Sequence, residues 1–510
     1  MSKPTVRNGF LFFVMVLVLH LVLWLPLPLW VQTVAVLMLL GLAPGILLVE
    51  LLLGHSQAPP DRWEWWLYSA GAGYALLVLG MLLLSYLPGG VAAWQVLVGF
   101  DGLLLVMGAL WWWRKRRHPR VAAQQIPPAP RFGRQSWYIG VAVAVLVTIG
   151  GVLRFHNLGY AEFLTDEARV VLRAAAVAQG YEDALFIHRK GPVEILLPTA
   201  AFVLLGELNE TGARLPFAVA NLVAVLAVFY LGRQLWGAVA GWGAALLLAL
   251  DGYLIGFARF VQYQSVVLLM SVLAVLILHR LMHRPVAVTR HLLLATLLVA
   301  TGLLSHYDGL VTLIPVALAL FFLFRRTERT TLLPALGMAG AIGGLILALF
   351  YLPFFLHPNF SATYAYLLDN RLLGGDLPYN NLTEITQREM TYDSLLLVTF
   401  SYAMMVLALA LALGRAFGRI WGALLGLLFG TVLFLAIRQP ALFEIGWVQW
   451  LLLSLALPIG LIGWAPRLTA VERMFWLWWG VPVVAAVYLV AQPGTHVYVV
   501  AVPGALLIGS

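Results

Sequence analysis

Two groups of ionisable residues lie a short way apart in the chain: Asp166 and Glu167 directly after Thr165, and His188, Arg189 and Lys190 just before Pro192. A carboxylate can take a proton from an attacking hydroxyl or orient it, and a cluster of cations can stabilise a departing anion such as phosphate. Together they offer a base on one side and an anion site on the other. Each group also has a plainer reading. Thr165 reads as a helix N-cap whose following acids complement the helix dipole, and a basic cluster at a membrane edge faces lipid headgroups. Arg169 and Arg173 share one face of the helix that Gly180 ends; ion pairing along a surface helix, or anionic lipid, accounts for them.

Further polar residues interrupt apolar sequence. The stretch ALDGYLIGFARFVQYQSVVLL carries Asp251, Arg259, Gln262, Tyr263 and Gln264, LLSHYDGL carries His306, Tyr307 and Asp308, and QPGTHVYVV carries His496 and Tyr498. An ionisable group among apolar helices is expensive unless partnered or facing water. His306 or Asp308 could face a pocket, or the two could form a polar helix-turn cap; His496 beside Tyr498 could be an interfacial anchor. Arg371, in a loop with Gly374 and Gly375, is the one basic residue there worth testing for phosphate contact. Glu50 and Asp101 lie in apolar N-terminal segments, where hydrogen bonding between helices is the expected role. The triplets at Asn209, Asn359 and Asn381 fit the glycan-acceptor pattern, which chance also produces.

The elements that position these residues follow from composition. Of 510 residues, 62% are hydrophobic and 10% charged, against about 25% charged in soluble domains. Apolar runs long enough to cross a bilayer recur throughout. The fold class is all-α polytopic membrane protein, with about sixteen spans at 9–29, 31–53, 65–86, 92–113, 136–153, 214–235, 238–256, 262–281, 290–305, 308–324, 330–352, 394–413, 418–437, 444–463, 473–490 and 497–509. With the N-terminus inside, most of the 31 Lys and Arg fall at cytoplasmic ends. Most acids then fall outside, in segments 154–213 and 353–393, with surface helices in the first. The stretch QQIPPAPR divides residues 1–135, four helices and a basic linker, from residues 136–510. The last apolar run ends at Ser510 without a basic tail, as if the natural chain continued. There is no cysteine, hence no disulfide or thiol chemistry, and the net charge of +9 is scattered at helix ends, which excludes a nucleic-acid face.

The order of span, acidic pair, basic cluster with proline, surface helix (the apolar stretch after Pro192) and span resembles the GT-C superfamily of membrane glycosyltransferases. That superfamily uses polyprenyl-phosphate sugars and includes protein O-mannosyltransferases and aminoarabinose transferases. The resemblance runs from about Tyr138 to the C-terminus. It maps a catalytic Asp or Asp-Glu pair onto Asp166 and Glu167, and a Lys-Pro-Pro element onto Lys190, Gly191 and Pro192, one proline being glycine here. The ARLP element at Ala213 to Pro216, opening a span that closes on Gly232 and Arg233, is a further match.

What the resemblance implies is an inverting transfer of a hexosyl or pentosyl group at the extracytoplasmic face of the plasma (inner) membrane. Asp166 would be the base and Glu167 a helper or metal ligand. Lys190, Arg189, His188, Arg259 and His306 would hold the donor phosphate, with Asp308, Asp251, Gln262 and Arg371 as accessories. Related transferases often carry a second acid in the turn of Arg259; here Gln262 or Gln264 stands nearby instead. A divalent cation or none fits this set. The partners implied are membrane lipid, the polyprenyl-phosphate sugar and a glycan, lipid or protein acceptor. Two rival classes share the composition: a lipid-linked sugar transporter or flippase, and a non-catalytic scaffold. A transporter predicts a polar path through the helices, whereas the strong ionisable candidates gather at one face.

Overall fold

A computed structural model describes residues 3–54, 56, 59–117, 134–369, 379–444 and 454–510, and among these every regular element is a helix. Twelve helices are long and apolar enough to cross a membrane, and each coincides with an expected span. A thirteenth arises if the bent pair Ala238–Leu250 and Gly252–Ala258 is one span. The expected sixteen therefore reduces to twelve or thirteen among the described residues. Gly9–Trp24 and Gly494–Gly509 are shorter apolar helices. The first stops where Pro26 and Pro28 end helical hydrogen bonding. Of the expected span at 444–463, residues 445–453 lie outside the described residues, and the rest holds the short helix Leu457–Trp464.

Burial sorts the helices into layers. Gln264–His283 is buried at every residue except Arg280 and His283 and forms the axis of the bundle, with Glu210–Trp236 beside it. Arg329–Leu356, Leu395–Phe417 and Arg419–Arg438 turn most of their apolar surface outward, as lipid-facing helices do. The N-terminal helices pack onto this core: Arg62–Ser85 touches Gln264–His283, Val288–Ser305 and Val193–Leu205. Leu29–Leu53 contains a π-helical turn at Leu37–Leu42, just ahead of Pro44. Proline's missing N–H and bulky ring make that local widening favourable. Asp101 finds a partner across helices in His20, at 3.3 Å.

The break at Asp251 bends the chain by 65°. Carbonyls freed at the end of Ala238–Leu250 are taken by Arg154, whose guanidinium donates to Leu248 and Ala249 at 3.0 and 3.1 Å while its Nε donates to Asn221. Asp251 caps the next helix by accepting from the Leu254 N–H at 2.8 Å. Arg154, expected at the water-facing start of an outer segment, is wholly buried as a result. One further correction concerns Val193–Leu205, expected as a surface helix. Val193 through Ala201 are all buried, because a helix apolar on every side has no face to offer water. Within the first outer segment Thr165–Ala178 is the amphipathic surface helix, with Leu164 rather than Thr165 in the capping position and Gly180 just past its end at φ 85°.

Candidate active site

The turn between Gly252–Ala258 and Gln264–His283 organises the polar end of the molecule. Two of its backbone N–H groups are taken by buried carboxylates from different helices. Val261 donates to Glu167 Oε1 at 2.9 Å, and Tyr263 donates to Glu194 Oε2 at 3.0 Å. Such turn donors would otherwise be orphans, and an ionised acceptor makes the bond stronger. Glu167 is held from its other side by Arg214, through a two-pronged contact of 2.9 and 2.7 Å with both side chains fully buried. Arg214 spends its remaining donors on the carbonyls of Leu158, Ala161 and Glu162. Glu167 is thus a brace, saturated with partners. Arg259, expected at a donor phosphate, instead caps the end of the span Trp137–Phe155 through the carbonyls of Leu153, His156 and Asn157.

Glu194 anchors a second set of contacts. His188 Nε2 lies 2.6 Å and Lys190 Nζ 3.5 Å from its Oε1. Burial alone would raise this carboxyl, but Lys190 and His188 hold it down to about 2. Burial lowers His188, against the pull of Glu194 in the other direction. Arg173 meets the other nitrogen of His188, so the surface helix is tied to the basic cluster through that ring. Lys190 Nζ stands 5.0 Å from the centre of the Tyr263 ring, and His306 stacks on the same ring at 3.8 Å with planes 4° apart. Lys190, His188, His306 and Asp308 therefore gather around one tyrosine. Asp308 accepts from His496 Nδ1 at 2.8 Å and lies 3.1 Å from His306 Nδ1.

Gly191 explains the sequence's departure from the Lys-Pro-Pro pattern. A Cβ there would come within 1.8 Å of the Leu304 carbonyl oxygen. A proline, which carries a Cβ, would meet the same atom. The chain after Lys190 thus lies directly on the helix end that presents His306, and Gly309 folds back onto Gly302 less tightly, a Cβ there coming 2.7 Å from the Gly302 carbonyl oxygen. Gly191→Ala is expected to lower unfolding stability by about 1–3 kcal/mol through overpacking. Thermal unfolding in detergent checks this; an unchanged midpoint would mean the helix end yields freely.

The remaining expected residues are placed elsewhere. Asp166 is exposed on the first turn of its helix, with Arg169 at 3.7 Å as an open ion pair. Arg189 is exposed and stands 4.8 Å over the ring of Tyr366 from the second outer segment. Gln262 is buried and accepts from Gln264 at 3.0 Å. Arg371 lies outside the described residues. Asp251 lines an apolar cavity whose walls include Trp479, Met405, Phe429, Tyr488 and Tyr498. Two more acids line it: Glu389, which accepts from the Tyr402 hydroxyl at 2.8 Å, and Asp393, which accepts from the Gly252 N–H at 2.6 Å. Burial raises Glu389 to about 7, with the Asp393 charge adding to it and Tyr402 opposing.

Glu194, Tyr263, Glu389 and Asp393 were not among the residues singled out as site candidates from the sequence. Glu194 carried a readable signal, an acid four residues after Lys190 at the start of an apolar helix. Asn381, one of the glycan-acceptor triplets, is buried with its amide donating to Ala486 and Val490, which leaves no room for a glycan.

The chain is thus a multi-pass membrane protein, all-helical among the described residues, with an ionisable cluster at one end of the bundle. Residues 189–354 match the family model described as dolichyl-phosphate-mannose-protein mannosyltransferase. The match supports a GT-C-like membrane glycosyltransferase family. It takes in Arg189, Lys190, Glu194, Arg259, Tyr263, His306 and Asp308, and leaves Asp166, Glu167, His188 and His496 outside. No curated protein and no solved structure matches the chain.

Proposed function

We propose that this chain transfers a sugar from a polyprenyl-phosphate donor to an acceptor at the extracytoplasmic face of the membrane. The observation that carries the reading is the gathering of Lys190, Glu194 and His306 around Tyr263, inside the stretch matched by the mannosyltransferase model, with His188 on Glu194 immediately before that stretch. Asp166 accepts the proton of the acceptor hydroxyl, whose oxygen bonds to the anomeric carbon. The bond from that carbon to the phosphate oxygen breaks, and the lipid phosphate leaves with the electron pair, steadied by Lys190 and Arg189. One displacement of this kind inverts the anomeric centre, for a hexosyl or pentosyl group alike. The apolar cavity beside Tyr498 takes the first prenyl units, and Asp251, Glu389 and Asp393 at its wall are the carboxyl groups nearest to the role of a second acid.

The test is sugar transfer by the purified chain with a panel of polyprenyl-phosphate sugars and hydroxyl acceptors, the parent beside Asp166→Asn. Loss of a general base is expected to slow transfer by about 10²–10⁴-fold. Equal rates would remove Asp166 from the mechanism. Movement of labelled donor across vesicles, with no acceptor-dependent product, would favour a transporter over a transferase.

A further inference from the structure

His306, Asp308 and His496 come from two breaks in the helical pattern that are far apart in sequence. The first two sit where Val288–Ser305 ends, and the third lies in the turn after Ala470–Tyr488. Their ligand-type atoms all lie within 4.8 Å of one another. His496 Nδ1 is 2.8 Å from Asp308 Oδ2, and His306 Nδ1 is 3.1 Å from Asp308 Oδ1. A tetrahedral zinc ion with bonds of about 2.0–2.2 Å holds its ligand atoms roughly 3.3–3.5 Å apart, so the two contacts to Asp308 open by about half an ångström or less while the two histidine nitrogens, within 4.8 Å of each other, draw together. His306 is 1% and Asp308 8% exposed. Three tyrosines crowd the same place: Tyr263 stacks on His306, Tyr307 packs against both histidine rings, and Tyr498 stands beside Tyr263.

We propose that His306, Asp308 and His496 form a binding site for a borderline divalent cation of the zinc class. Two imidazoles and one carboxylate suit zinc or cobalt, whereas magnesium and calcium demand mainly oxygen ligands. Three protein ligands leave a fourth position for water or another oxygen donor. On loading, His306 Nδ1 exchanges the Asp308 N–H, which it accepts at 3.1 Å, for the ion. His496 moves its proton from Nδ1 to Nε2 and turns the Nδ1 lone pair inward. The ion pins the turn that follows Leu304 to the one that precedes the last helix. Neither step depends on the transferase reading.

The experiment strips the purified full chain with chelator and titrates it with Zn²⁺, Co²⁺ or Mg²⁺ alone, following heat, cobalt absorption and the unfolding midpoint. Expected for the parent are about one Zn²⁺ per chain, a tetrahedral cobalt spectrum and a raised midpoint with Zn²⁺, and no response to Mg²⁺. Asp308→Asn and His496→Ala should each lose the cobalt spectrum and weaken Zn²⁺ binding at least tenfold. His279 and His283, whose rings lie 4.3 Å apart at the other end of the axial helix, are the competing ligands. A double alanine variant there should bind as the parent does. The proposal falls if the parent takes up no Zn²⁺, if the two site variants bind it unchanged, or if only the His279/His283 variant loses it. An unchanged metal-free midpoint in His496→Ala excludes misfolding as the cause of a loss.

Discussion

Arg214→Ala is expected to lower unfolding stability by about 3–5 kcal/mol, because it leaves a buried carboxylate without its countercharge. Both partners of the Glu167–Arg214 pair are fully buried. Without the guanidinium, Glu167 retains only the N–H groups of Val261 and Leu164, and the carbonyls of Leu158, Ala161 and Glu162 lose their donor. Lysine cannot restore the arrangement, since one compact ammonium replaces a planar fork that reaches several acceptors at once. Replacing both members, as in Glu167→Gln with Arg214→Met, should destabilise by less than the sum of the single changes, since the two residues share one network. Chemical unfolding in detergent, followed by the fluorescence of the 19 tryptophans, measures each variant. A change below about 1 kcal/mol for Arg214→Ala would place the pair among weakly coupled ones.

Lys190→Ala is expected to reduce the rate constant of sugar transfer by about 10²–10³-fold, with a smaller effect on KM. Removal of a donor aimed at developing charge has that size in acyl and phosphoryl transfer. Lys190 is partly exposed, with Glu194 at 3.5 Å and the Tyr263 ring below it, so one side of the ammonium is held while the other faces outward. Glu194 keeps His188 and the Tyr263 N–H after the change, and the unfolding midpoint should therefore move little. Arg189→Ala should have a smaller effect, about tenfold, because Arg189 is exposed and rests on Tyr366. Steady-state kinetics of donor turnover decides this. A Lys190→Ala enzyme within threefold of the parent in kcat/KM would remove the residue from the phosphate site.

The spans were legible because twenty apolar residues in a row have few alternatives, and all twelve membrane-length helices fall where the hydropathy places them. The count was less legible, since Gly494–Gly509 reads as apolar as a span but falls short of membrane length. Val193–Leu205 was misread as a surface element although its composition offers water no face; what sequence alone does not say is whether an apolar helix of that length meets lipid or protein. In the candidate site, Lys190, His188 and His306 were found from their types and positions. Their convergence on Tyr263 was not, because a tyrosine after a glutamine in an apolar run carries no pattern. The acidic pair divided in a way that adjacency concealed: successive helical residues point about 100° apart, so Glu167 enters the core while Asp166 faces water.

The two acids that grip the turn at Val261 and Tyr263 arrive from separate helices, one on the surface and one in the core. A shift in either helix is therefore relayed to the same aromatic ring. Whatever approaches Lys190 and His306 meets a surface already rigid, so little reorganisation is left for the moment of encounter. Changes to Glu167 or Arg214, remote from Lys190, then become silent in binding assays only while that grip holds, and temperature-sensitive lesions are expected to cluster along it.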